Sequence, residues 1–154
     1  MIPFEDLGRA NKPFEDSLRS AFERVLASGR YVAGGELSAF EREFATAFSL
    51  GQTVGVASGY DALTLAFRAL GIERGEVVIP ANTYMATILA VARCGLTPIL
   101  SDPDPETFLM DPEDAERRIT PRTVALLPVH LYGLVCDMGA LAEIARRRNL
   151  VVVE

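Results

Sequence analysis

Three short polar segments hold most of the side chains whose types suit chemistry. Ser58-Gly59-Tyr60-Asp61 opens an apolar-periodic stretch. Gly59 lets a ligand approach the backbone, and the free N–H groups of a helix start, with the helix dipole, form a cradle for an anion. Ser, Gly and Asp at a helix start are also ordinary capping residues, and taken alone that is their commoner use. Pro80-Ala81-Asn82-Thr83-Tyr84-Met85-Ala86-Thr87 sets one aromatic ring among hydroxyls. Tyr84 could stack on a flat cofactor ring, although composition alone favours a core aromatic. Pro128-Val129-His130-Leu131-Tyr132-Gly133 carries the single histidine. His130 could move a proton, but a lone histidine is more often a hydrogen-bonded structural residue. A fourth segment, Ser101 to Thr107, contains Asp102, Asp104 and Glu106. Those carboxylates could gather a metal, yet the interleaved prolines argue for a solvated turn.

Amine and thiol chemistry is sparse. Fourteen arginines stand against one lysine, Lys12, so a mechanism that needs a buried lysine must use Lys12 or a residue outside this chain. Cys94 and Cys136 are far apart with no CxxC, and with one histidine they give no material for a Cys/His zinc site or a disulfide scaffold. No metal is expected. The net charge of -6 disfavours a nucleic-acid partner, and the basic run Arg146 to Arg148 falls where a helix C-terminus welcomes positive charge. No apolar run approaches the roughly 20 residues that span a bilayer. The start MIPFEDLGRA lacks a cationic-then-apolar signal pattern. The expectation is a soluble, cytoplasmic protein with no membrane partner.

The elements that must position these turns follow from hydrophobic period. Phe14, Leu18, Ala21, Phe22, Val25 and Leu26 recur at three- and four-residue steps, which predicts an amphipathic helix ended by Gly29. Leu37, Phe40, Phe44 and Phe48 predict a second helix after a Gly-rich turn. From Thr53 the pattern changes to short apolar runs at 53–57, 77–80, 97–101, 124–129 and 150–153, which read as five strands. Helices are predicted between them at 61–70, 84–94, 112–119 and 137–148. Continuous apolar strands alternating with helices imply an α/β fold in three layers, with a mainly parallel sheet covered on both faces. In such sheets ligands bind beyond the carboxyl ends of strands, where the three polar turns fall. Val151-Val152-Val153-Glu154 reads as a buried strand with no following helix to cover it, so a longer parent protein is expected.

Taken in order, GRYVAGGELSAFEREFA, VASGYDALTLAFRALGI, EVVIPANTYMATILAV, SDPDPETFLMDPEDAERRIT, PRTVALLPVHLYG and LVVVE resemble the DegT/DnrJ/EryC1/StrS family of sugar aminotransferases over essentially the whole chain. The resemblance implies the large domain of a pyridoxal-phosphate (PLP) enzyme of the aspartate-aminotransferase fold. Such enzymes act as homodimers on nucleotide-linked keto sugars, usually with glutamate as amino donor. It implies that residues 1–35 form an amino-terminal helical arm and 36–154 the first part of the PLP-binding domain. By the same resemblance Gly59, Tyr60 and Asp61 hold the cofactor phosphate, largely through backbone N–H groups, and Tyr84 stacks on the pyridine ring. His130 lies in the VHLYG block near the cofactor.

The family commonly reads Gly-Thr at the phosphate turn where this chain has Gly59-Tyr60, which removes a side-chain hydroxyl but not the backbone contacts. Tyr60-Asp61-Ala62-Leu63 resembles the branch that aminates C3 of 3-keto-6-deoxyhexoses; amination at C4 is the rival reading. The entry Gly75-Glu76-Val77-Val78-Ile79-Pro80 is one residue shorter than usual. In the family the strand matching Leu150 to Glu154 runs into Asp-x-x-Gln, whose Asp pairs with the ring nitrogen, and the Schiff-base lysine lies further on. No catalytic residue can therefore be named in this chain, and alone it is expected not to transaminate. A non-catalytic binding or regulatory relative is the alternative of another class. A generic nucleotide-binding domain is disfavoured, since GxGxxG does not follow the first strand and GxxxxGK[ST] occurs nowhere.

Overall fold

The computed structural model describes residues 3–154. They fall into two compact units, one ending at Gly55 and the other spanning Val56 to Glu154.

The first unit is helical. Helix α1 (Leu7–Asn11) is capped by the Asp6 carboxylate, which accepts from the Arg9 N–H at 2.9 Å. A single 3-10 turn, Lys12–Phe14, uses Pro13 where a helix start tolerates a missing N–H. Helix α2 (Glu15–Ser28) follows, and Gly29 ends it in the left-handed region at φ 63°. Helix α3 (Gly35–Ala47) begins after the glycine-rich turn. The predicted stripe is present, but none of the three helices has a buried residue. Phe14, Leu18 and Phe22 are each about 60% exposed.

The second unit is the α/β layer structure. In chain order it comprises α4 (Gly59–Ala69), β1 (Glu76–Pro80), α5 (Met85–Arg93), β2 (Thr97–Ser101), α6 (Pro112–Arg118), β3 (Thr123–Leu126), α7 (Met138–Arg148) and β4 (Val151–Val152). The strands pair in the order β2-β1-β3-β4 and every pairing is parallel. Alternate strand residues feed opposite faces. Val77, Ile79, Ala125, Leu127 and Val153 pack with Phe67 of α4 and Val91 of α5. Val78 and Leu126 pack on the other side with Ala115 of α6 and with Leu141, Ile144 and Ala145 of α7. The result is three layers, helix on sheet on helix, as the sequence pattern implied.

Two expected strands need correction. Residues 53–57 form no strand. The Gly55 amide donates to the Glu41 carboxylate at 2.8 Å instead of to a neighbouring strand, and Val54 and Val56 stay exposed. An apolar run becomes a strand only where another backbone offers its ladder, and among the described residues none does here. The run 124–129 ends as a strand at Leu126, with one further ladder bond from the Leu127 N–H to the Val78 carbonyl at 2.9 Å. Pro128 has no N–H to continue the ladder.

The amino edge of the sheet is closed by a charged clamp. Glu76, almost fully buried, accepts from Arg122 and from the Thr120 hydroxyl, tying β1 to the turn before β3. Gly75, at φ 128°, fits here because any Cβ would collide with the Val124 side chain. The polar turns gather at the opposite, carboxyl edge.

Candidate functional site

Helix α4 returns through residues 70–75 to the start of β1, so its first residue, Gly59, lies toward the carboxyl edge; α5 starts at that edge directly after β1. Ser58 is the N-cap of α4. Its Oγ accepts from the Asp61 N–H at 3.2 Å and donates to the Asp61 carboxylate at 2.8 Å. The first intrahelical bond runs from the Ala62 N–H to the Ser58 carbonyl at 2.9 Å. Capping chemistry is therefore present, and it accounts for Asp61 and Ala62. The Gly59 and Tyr60 amides occupy the two leading positions of the helix, where no intrahelical acceptor exists. A Cβ at Gly59 would meet nothing within 4 Å, so the space over the turn is open to a ligand. Two amides, a positive helix end and open space suit a phosphate. The residues present fit the phosphate of PLP.

The Tyr60 ring meets α5. It lies under the Arg93 guanidinium, whose carbon is 5.8 Å from the ring centroid.

Tyr84 is the N-cap of α5 and is 79% exposed. It is not a core aromatic. Its ring stands free just beyond β1, while Thr83 and Thr87 pair their hydroxyls at 2.9 Å behind it.

His130 lies four residues past β3. Its Nδ1 accepts from the Cys136 N–H at 3.2 Å, which places the proton of the neutral ring on Nε2, 3.0 Å from the Glu154 carboxylate. The histidine thus links the loop after β3 to the end of β4. Among the described residues no hydrogen bond joins the Ser58 turn, Tyr84 and His130 to one another; they share an edge rather than a network.

Sequence reasoning missed two neighbours. Phe108, after β2, and Tyr132, after β3, both adopt left-handed backbone, at φ 60° and 58°, and their rings meet edge to face at 6.4 Å. Bulky residues seldom hold that conformation without support. Support at Phe108 comes from Asn82, whose amide donates to the Phe108 carbonyl at 2.8 Å. Only the Gly133 after Tyr132 hinted at a tight turn there. The acidic segment is structural: Asp104 accepts from the Glu106 and Thr107 amides and the Thr107 hydroxyl, and the Asp102 N–H donates to Asp114. Among the described residues no group of three or more His, Cys, Asp or Glu is placed to hold a metal. A cavity of about 530 Å³ in the first unit, lined by Arg24, Tyr31 and Leu37 among others, contains none of the candidate residues.

Known proteins share this fold. The chain is 48% identical to the dTDP-3-amino-3,6-dideoxy-alpha-D-galactopyranose transaminase of Aneurinibacillus thermoaerophilus, across 100% of this chain and 43% of that protein. The crystal structure of S. venezuelae DesV in complex with a ketimine intermediate superimposes with a TM-score of 0.94 at 49% identity, covering 99% of this chain and 42% of that one. NtdA from Bacillus subtilis with bound cofactor PMP superimposes at 0.91 with 37% identity, covering 98% and 35%. The chain spans about two fifths of the length of the curated relatives it matches. The family profile matches residues 14–154, and the chain belongs to the DegT/DnrJ/EryC1/StrS aminotransferase family.

Proposed function

We propose that this chain forms the amino-terminal part of a PLP-dependent aminotransferase that acts on a nucleotide-linked keto-deoxy sugar, with glutamate as donor. The observation that carries the reading is the capped start of α4, whose Gly59 and Tyr60 amides have no intrahelical acceptor, on the same sheet edge as the exposed Tyr84 ring.

PLP supplies an electron sink for the carbon that exchanges its amino group. The chain's own residues bind and orient. The Gly59 and Tyr60 N–H groups hold the phosphate, Asp61 keeps the turn in shape through Ser58, and Tyr84 covers one face of the ring. His130 stands at the cofactor edge with its Nε2 proton directed to Glu154. The lysine and the acidic partner of the ring nitrogen come from residues outside this chain. Residues 1–35 act as an arm and 36–154 as the first part of the cofactor domain, with a second copy of the protein completing a cytoplasmic homodimer.

Amination at C3 is supported by the Tyr60-Asp61-Ala62-Leu63 turn and by the 3-amino sugar in the name of the Aneurinibacillus relative. The test is turnover by the full-length enzyme of a dTDP-linked 3-keto-6-deoxyhexose with glutamate, with the amino position read by NMR. Product carrying nitrogen at C3 supports the reading, product at C4 corrects the position, and no transfer to any keto sugar overturns it.

A further inference from the structure

The ring at position 60 and the arginine at position 93 form a pair that the proposed function does not use. Arg93 lies in the last turn of α5. Helical side chains lean toward the amino end of their own helix, so the guanidinium reaches back along α4 and covers the Tyr60 ring. The crossing of the two helices is fixed one turn further along α4, where the Cys94 thiol meets the Thr64 carbonyl at 3.5 Å. Arg93 and Arg68 line one shallow groove of about 330 Å³ together with Asp61. The Asp61 carboxylate is turned onto the Ser58 hydroxyl, and Glu73 lines an adjoining groove with the same two arginines.

We propose that Arg93 is a positioning residue for the phosphate turn, acting through the Tyr60 ring. Resting on the PLP reading above, it gives a use to the departure from Gly-Thr. The contact holds the ring toward the last turn of α5, and the Tyr60 backbone N–H lies in the leading turn of α4. An unclamped ring is free to rotate over the turn and obstruct the two amides. The effect is confined to the phosphate, because among the described residues neither Tyr60 nor Arg93 shares a hydrogen bond or ring contact with Tyr84, which serves the cofactor ring.

The experiment compares apparent affinities of the full-length apoenzyme for PLP and for pyridoxal, which has the same ring and aldehyde but no phosphate. Arg93→Ala is expected to weaken PLP binding about two- to fivefold, the range for one exposed cation–π contact, and to leave pyridoxal binding unchanged. Arg93→Lys keeps a cation over the ring and restores PLP affinity. In a Tyr60→Leu background Arg93→Ala has no further effect. An equal loss for both ligands, no loss for either, or the same loss without the Tyr60 ring overturns the inference while the cofactor reading stands. A wild-type enzyme that takes up no PLP overturns both.

Discussion

The two units of this chain use apolar residues in opposite ways. In the unit from Val56 to Glu154, Phe67, Val77, Ile79, Leu126 and Leu141 are completely buried in two clusters on either side of the sheet. In the unit ending at Gly55, Phe14, Phe22, Phe40 and Phe48 recur at helical spacing and remain more than half exposed. Period alone therefore says which face of a helix needs cover, not what covers it. The sheet unit supplies its own cover, and the proposed partner for the arm is a second subunit.

Substitutions should separate the two regions sharply. Phe67→Ala leaves a cavity between α4 and the sheet and is expected to cost about 3–5 kcal/mol in chemical denaturation. Phe22→Ala in the same chain should fall within about 0.5 kcal/mol of wild type, because no packed core is lost. Equal costs would erase the contrast. In the full-length enzyme, deletion of residues 1–28 is expected to shift the light-scattering mass from dimer toward monomer. A truncated enzyme that stays fully dimeric removes the arm from the interface.

Acid should act mainly through the sheet unit. The Thr120 hydroxyl and then Arg122 hold the Glu76 carboxyl below the usual carboxylate range. At Asp114 burial pushes the carboxyl up, but the Asp102 N–H, Arg118 and Arg117 together bring it below its ordinary value. Both folded values lie below the unfolded ones. Their stabilisation is complete above about pH 4 to 4.5 and is lost as pH falls through the folded values. Melting temperature should therefore drop as pH falls from about 5 to 2, and a Glu76→Gln, Asp114→Asn variant should show a flatter profile over that window. Glu36, whose carboxyl is lowered by its exposed bond to Arg24, should matter less because solvent and salt screen the pair. If Glu36→Gln flattened the profile more than the double variant, the assignment to the sheet unit would be wrong.

A smaller effect than the loss of Phe67 belongs to the cofactor edge. Tyr84→Ala in the full-length enzyme should weaken PLP retention up to about tenfold, as expected for one aromatic stack. Unchanged cofactor content and absorbance would remove Tyr84 from the ring face.

Much of the fold was legible because the second unit obeys local rules. The helix at Gly59–Ala69 was expected from Asp61, and the strands at Glu76–Pro80, fully buried, and Thr97–Ser101, half exposed beside it, coincide with apolar runs. The strand expected at 53–57 failed because pairing is a property of two segments, and its valines found no ladder. Tyr84 shows the same limit in the site: composition favoured a core ring, and only its place at the open carboxyl edge reveals the exposed one. The Tyr60 and Arg93 contact was hidden by 32 intervening positions, since nothing local marks two residues that meet across helices.

The central claim is that this chain supplies the phosphate turn and ring cover for PLP while the lysine lies outside it. Borohydride reduction of the full-length enzyme with PLP, followed by peptide mass analysis, tests this most directly, with the 154-residue chain treated in parallel. The account predicts one stoichiometric pyridoxyl-lysine in a peptide outside residues 1–154 and none on Lys12 in either sample. A stoichiometric adduct on Lys12, or an enzyme that transfers amino groups with no pyridoxyl adduct at all, would contradict it.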